Sequence, residues 1–218
     1  MMNRPLLLGH RGARAVKSIP ENSIASFDRA IADGCDGFEF DVRLTRDGVA
    51  VIYHDPKRRL IKIAHASAEK LKSLPRLGDV LSRYQQSAFL NIELKVPGLE
   101  QITADLLSKF PPVHRYVVSS FLPEVLLALH QVEPKIALGL ICEKPAQLSR
   151  WNDLPIESVM ISRKLASSET IPKLKKAGKK VFVWTVNRAD EMRSFAQLEV
   201  DGIISDKTEL LCRTLKDA

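Results

Sequence analysis

Short apolar runs and amphipathic stretches alternate along the whole chain. Residues 5–8 read as a first strand. Asn22, after Pro20-Glu21, is a good helix N-cap, and Ile24, Phe27, Ala30 and Ile31 mark one face of a helix that ends near Gly34. Residues 38–42 form a second strand, which 49–54 extends after an Asp47-Gly48 turn. Further strands are expected at 88–94, 116–119, 136–141, 158–161, 180–186 and 202–205. Helices are expected at 77–84, 99–110, 123–131, 145–150, 168–177, 189–198 and 207–215. These make eight strand–helix units. Alternation implies a parallel sheet, and eight units fit a single (β/α)8 TIM barrel near the short end of its size range. An open doubly wound sheet is the alternative, but no glycine-rich dinucleotide loop follows the first strand. With no linker and no low-complexity stretch, residues 1–218 read as one domain.

Composition narrows the class. Hydrophobic residues make up 45% and charged residues 27% of the 218, an ordinary globular balance. No apolar run approaches the roughly 18–20 residues needed to span a bilayer, and Leu6-Leu7-Leu8 is too short for a leader core. A cytoplasmic protein without stable membrane insertion is expected. Cys35, Cys142 and Cys212 are odd in number and form no CxxC pair, which argues against a disulfide framework or a zinc site and for small buried apolar residues. The net charge of +7 is spread over dispersed Lys and Arg without a nucleic-acid motif, so a solvated basic surface is expected and no nucleic-acid partner. The densest cluster, Lys173 to Lys180, falls at a helix end, where cations favour the helix dipole. Monomer and homodimer both remain open.

The polar residues at strand ends change the picture. Positions i and i+2 of a strand share a face, so Glu39 and Asp41 project together at the end of the second strand, which is the active-site mouth in this barrel type. Two adjacent carboxylates repel, and a hard divalent cation resolves the repulsion; oxygen ligands suit Mg2+ or Ca2+ rather than zinc. Glu93 and Lys95 repeat the pattern on the third strand, where Glu93 can complete the metal set and Lys95 can hold a phosphate oxygen; a structural ion pair is the alternative. His10 and His54 end the first strand and the extended second one, and both can move protons near neutral pH. Arg11 offers a forked donor set suited to phosphate. Asp55 can orient a histidine or form a turn. Trp184, ending the seventh strand, is either a wall for a carbon skeleton or packing. His65, His114 and His130 read as surface or packing residues.

Taken in order, His10-Arg11-Gly12, Pro20-Glu21-Asn22, Gly37-Phe38-Glu39-Phe40-Asp41-Val42, Thr45-Arg46-Asp47-Gly48 and His54-Asp55 form a specific set. Asn91-Ile92-Glu93-Leu94-Lys95, Trp184-Thr185-Val186-Asn187 and Val200 through Asp206 continue it to the end of the chain. The chain resembles the glycerophosphodiester phosphodiesterases, of the phosphatidylinositol-phospholipase-C-like barrel superfamily. That resemblance implies an acid–base pair at His10 and His54, metal ligands at Glu39, Asp41 and Glu93, phosphate contacts at Arg11 and Lys95, and a wall against the glycerol at Trp184. It implies hydrolysis of a small-molecule glycerophosphodiester to glycerol 3-phosphate and an alcohol. The chain departs from the family after His54-Asp55. Members often carry a longer insertion there with a Leu-x-Arg-Thr-Thr signature, whereas residues 56–66 are short, basic and lack it. A lysophospholipase D-like activity on lysophospholipids is a second reading, and the basic loop 57–63 is its candidate docking surface. A non-catalytic phosphodiester-binding barrel is a third; it predicts a missing histidine or metal carboxylate, and none is missing.

Overall fold

Eight parallel strands close on themselves in the computed structural model, which describes residues 4–216. Residues 1–3 and 217–218, the two ends of the expected domain, lie outside the described residues. In chain order the elements are β1 (Leu6–His10), α1 (Ile24–Ala32), β2 (Gly37–Leu44), β3 (Ala50–Ile52), β4 (Lys57–Arg58), β5 (Ile61–Lys62), α2 (Leu77–Tyr84), β6 (Phe89–Leu94) and α3 (Glu100–Lys109). They continue with β7 (Tyr116–Ser120), α4 (Pro123–Val132), β8 (Leu138–Cys142), α5 (Pro145–Leu148), β9 (Ser158–Ser162), α6 (Thr170–Lys176), β10 (Lys180–Trp184), α7 (Ala189–Gln197), β11 (Gly202–Ser205) and α8 (Thr208–Leu215). Neighbours run β1, β2, β6, β7, β8, β9, β10, β11 and back to β1, so the expected TIM barrel is borne out.

Two cores hold it. The outer one lies between strands and helices. Its centre is an aromatic cluster in which Phe27 of α1 stacks on Phe38 of β2 at 4.3 Å, with Tyr84 of α2 edge-on to both rings. The inner core fills the barrel with Leu8, Phe89, Val117, Ile141, Met160, Phe182 and Ile204, all on the opposite strand face from the outer core.

Register places the site. His10 of β1 pairs with Glu39 of β2, and Asp41 of β2 pairs with Glu93 of β6. Parallel neighbours thus carry these inward residues to the same height.

Besides shifts of about two residues at some strand and helix ends, the structure differs from the expectations at three points. Ser23, not Asn22, caps α1: its hydroxyl accepts from the Ser26 N–H. Asn22 instead takes a φ of 55° and is buried against Asp41. The strand expected at 49–54 is only Ala50–Ile52, running antiparallel to β2, so His54 sits two residues beyond it on a bend. Beyond His54 the chain forms the small antiparallel β4–β5 hairpin, which the sequence pattern did not announce.

Candidate active site at the barrel mouth

The C-terminal ends of β1, β2 and β6 surround a cavity of about 310 Å³ lined by His10, Arg11, Glu39, His54, Glu93 and Lys95, with Phe121, Ile141, Met160 and Trp184 opposite. All eight predicted site residues except Asp41 line it, and Asp41, only 1% exposed, lies directly behind, joined to Arg11 and Lys95.

The acidic residues form one cluster. Glu39, Asp41 and Glu93 each offer a carboxylate oxygen within 4.8 Å of the others. Burial and the like charges of Asp41 and Glu93 push Glu39 well above the ordinary carboxylate range, and burial with Asp41 raises Glu93 to about 7. Burial opposes the charge of Asp41 too, but Lys95, Arg11 and Asn22 outweigh it and hold its pKa low. Glu39 Oε1 is buried without a hydrogen-bond partner, and Asp41 Oδ1 has the Lys95 ammonium as its partner at 3.2 Å. An unpaired buried carboxylate oxygen is costly, and three converging carboxylates fit a hard cation with oxygen ligands. This triad can hold an ion.

Two cations offset part of the charge. Lys95 contacts Glu93 and lies 3.2 Å from Asp41. The ion-pair reading of Glu93 and Lys95 is therefore realised, inside the mouth rather than in place of it. Arg11 N–H donates to Glu39 at 3.0 Å, while its guanidinium donates to Glu21 at 2.8 Å and lies 3.3 Å from Asp41. Arg11 can face this way because the chain turns sharply through positive φ at Arg11 (52°) and Gly12 (79°). A side chain at Gly12 would meet Ser26 at 2.4 Å, so the His10-Arg11-Gly12 turn requires glycine.

The histidines are held differently. His10 is nearly buried; its Nδ1 lies 2.7 Å from Asp206 Oδ1 and its Nε2 3.8 Å from Glu39. Burial works against the charge of Asp206, but the His10 hydrogen bond and the Asn187 and Arg14 contacts hold its pKa well below the usual range. A carboxylate only accepts, so Nδ1 of His10 carries the proton and Nε2 faces the cavity. His54 is half-buried, with Nδ1 2.8 Å from Asp55 Oδ1. Asp55 therefore orients a histidine. Burial lowers the His54 pKa, against the pull of Asp41 and Asp55.

The sequence model of the "Glycerophosphoryl diester phosphodiesterase family" matches residues 10–86 and 62–210. A glycerophosphodiester phosphodiesterase of Caldanaerobacter subterraneus is 30% identical, covering 98% of each chain. The chain belongs to the glycerophosphoryl diester phosphodiesterase family. Among solved structures, an Oleispira antarctica phosphodiesterase in complex with the product sn-glycerol-3-phosphate superposes with a TM-score of 0.86 at 25% identity, covering 99% of this chain and 98% of that one. A Silicibacter pomeroyi protein at 21% identity shares the fold, with a TM-score of 0.89 over 100% of this chain and 95% of its own.

Around the site of this phosphodiesterase stand residues that sequence reasoning did not place there. Asp206 and Asn187 anchor His10, with Asn187 donating to Asp206 at 2.7 Å. Asn22 donates to Asp41 at 2.8 Å, and Glu21 braces Arg11 and Arg14. Asp206 directly follows the last strand, so the strand-end rule applied to Glu39 would have found it. Trp184 lines the cavity and is also packed: it donates from Nε1 to the Met160 carbonyl at 3.0 Å and lies edge-on against Phe121. The three cysteines are buried as expected, with the Cys35 and Cys212 sulfurs 3.6 Å apart. No helix among the described residues is long and apolar enough to cross a membrane.

Proposed function

We propose that this enzyme, acting as a single domain in the cytoplasm, hydrolyses a glycerophosphodiester to glycerol 3-phosphate and an alcohol, with His10 and His54 as its acid–base pair. The observation that carries the reading is convergence: both histidines, the acidic triad and two cations meet at one cavity of about 310 Å³. The product-bound Oleispira antarctica relative supports the substrate class. Glu39, Asp41 and Glu93 would hold one divalent cation, Mg2+ or Ca2+. Bound there, such an ion supplies Lewis-acid stabilisation of charge developing on phosphoryl oxygens.

Arg11 and Lys95 lie beside the triad and bind the remaining phosphate oxygens. Nε2 of His10, fixed by Asp206 behind the ring, faces the reacting group from one side. His54 faces it from the other, and its lowered pKa leaves it neutral at pH 7 and able to accept a proton. One ring removes a proton from the nucleophile, and the other delivers one to the departing alkoxide. Trp184 presents its face to the glycerol carbons on the apolar side of the cavity.

The test is product release. Glycerophosphocholine and glycerophosphoethanolamine are incubated with the enzyme and Mg2+, Ca2+ or EDTA, and glycerol 3-phosphate is measured. Metal-dependent release from at least one diester is expected; no such release from either sinks the reading.

A further inference from the structure

The β4–β5 hairpin takes no part in the chemistry above, yet it is the most unusual surface among the described residues. Within six residues it carries Lys57, Arg58, Arg59 and Lys62, and no acidic residue lies between Asp55 and Glu69. None of the four cations makes a side-chain hydrogen bond or ion pair among the described residues. The turn passes through Arg59 at a φ of 54° and leaves Leu60 98% exposed and Ile61 43% exposed. No other large hydrophobic among the described residues is more than 59% exposed. A bare aliphatic tip within unpaired cations costs solvation and gains nothing inside this chain.

We propose that this hairpin docks the enzyme on an anionic phospholipid bilayer, its cations against the headgroups and Leu60 at the boundary of the acyl region. Clustered Lys and Arg are attracted to the negative surface potential of such a bilayer, and an apolar side chain adds burial that a purely polar polyanion cannot provide. The tip favours lipid over nucleic acid for a second reason: residues 57–62 include no aromatic side chain on which a base could stack. One leucine inserts shallowly, so docking is reversible and salt-sensitive rather than an anchor. The hairpin follows His54-Asp55-Pro56 directly, so a docked molecule turns its catalytic mouth toward the lipid surface. The docking does not depend on the assigned chemistry, because binding is read by itself.

The experiment is co-sedimentation with phosphatidylcholine vesicles made with and without phosphatidylglycerol, at low and physiological salt. Binding is expected only with the anionic lipid, and it weakens as salt rises. The double variant Arg59→Glu/Lys62→Glu lowers it about tenfold or more, and Leu60→Ser about threefold, consistent with cations and an apolar tip acting together. All variants keep turnover of a soluble diester within about twofold, which certifies their fold. No binding to anionic vesicles, or binding unchanged by the charge reversal, overturns the proposal. Stronger retention on a single-stranded oligonucleotide than on anionic vesicles overturns the lipid assignment.

Discussion

The barrel interior has two unlike walls. On β1, β2 and β6 the inward positions near the mouth are His10, Glu39, Asp41, Asn91 and Glu93, all buried polar groups. On β8 to β11 the residues that line the same cavity include Ile141, Met160, Trp184 and Ile204. The same strand geometry builds both, so the difference lies wholly in the side chains. The apolar wall lowers the free energy of the fold through ordinary burial. The polar wall raises it, because three buried carboxylates share one space and Glu39 Oε1 has no hydrogen-bond partner there. A fold tolerates such a wall where chemistry needs preorganised charge. Facing walls of opposite character suit a substrate with an ionic phosphate at one end and carbon at the other.

The largest expected effect is on the polar wall. His10→Ala and His54→Ala should each lower kcat by roughly 10²–10⁴, the usual contribution of positioned proton transfer, while the protein stays folded. Steady-state kinetics beside a melting curve separates the two quantities. Near-wild-type turnover in either variant removes that histidine from the mechanism.

The next effect concerns stability. In the metal-free protein the Glu93 pKa rises from 4.5 to about 7, and Glu39 rises in the same direction. Between those values the folded state keeps protons that the unfolded chain has released. Stability is therefore full below the unfolded value and falls as pH rises through the folded one. His54, with its lowered pKa, works the other way, but only below the ordinary imidazole value of 6.5. Denaturant unfolding with EDTA should thus show a protein less stable at pH 8 than at pH 5, by on the order of a few kcal/mol, with Glu93→Gln removing much of that slope. Saturating Mg2+ or Ca2+ should flatten it. A metal-free profile that rises between pH 5 and 8 would break the contrast between the walls.

A smaller effect lies behind His10. Asp206→Asn keeps the shape but replaces an acceptor-only group with an amide that can donate, so Nδ1 of His10 no longer has a fixed proton. The expected loss in kcat is about tenfold or more with KM little changed, and the acidic limb of the pH–rate profile shifts. An unshifted profile would reduce Asp206 to a purely structural brace.

What was legible follows the rules of strands. Period-two alternation and the strand-end rule located His10, Glu39, Asp41, Glu93, Lys95 and Trp184, and the order of apolar runs located the barrel itself. What stayed hidden depends on distance and competition. His10 and Asp206 lie 196 residues apart, and only barrel closure brings them together. In Pro20-Glu21-Asn22-Ser23 both Asn22 and Ser23 are good caps, and the buried bonds to Asp41 decide which one leaves that duty. The β4–β5 hairpin is too short and too uniformly basic to leave an alternation pattern.

The smallest effect belongs to the apolar wall. Trp184→Phe retains an aromatic ring for the edge-on contact with Phe121 but loses the hydrogen bond from Nε1 to the Met160 carbonyl. That bond is worth roughly 0.5–1.5 kcal/mol, so the ring should loosen without collapse of the wall. If the wall only holds the glycerol carbons, ground state and transition state lose equally, and KM should rise a few-fold while kcat stays within about twofold. The same variant should leave affinity for the divalent cation unchanged, since no polar-wall ligand touches the indole. A large fall in kcat would mean that the apolar wall positions the phosphate as well, and the division of labour between the two walls would fail at Trp184.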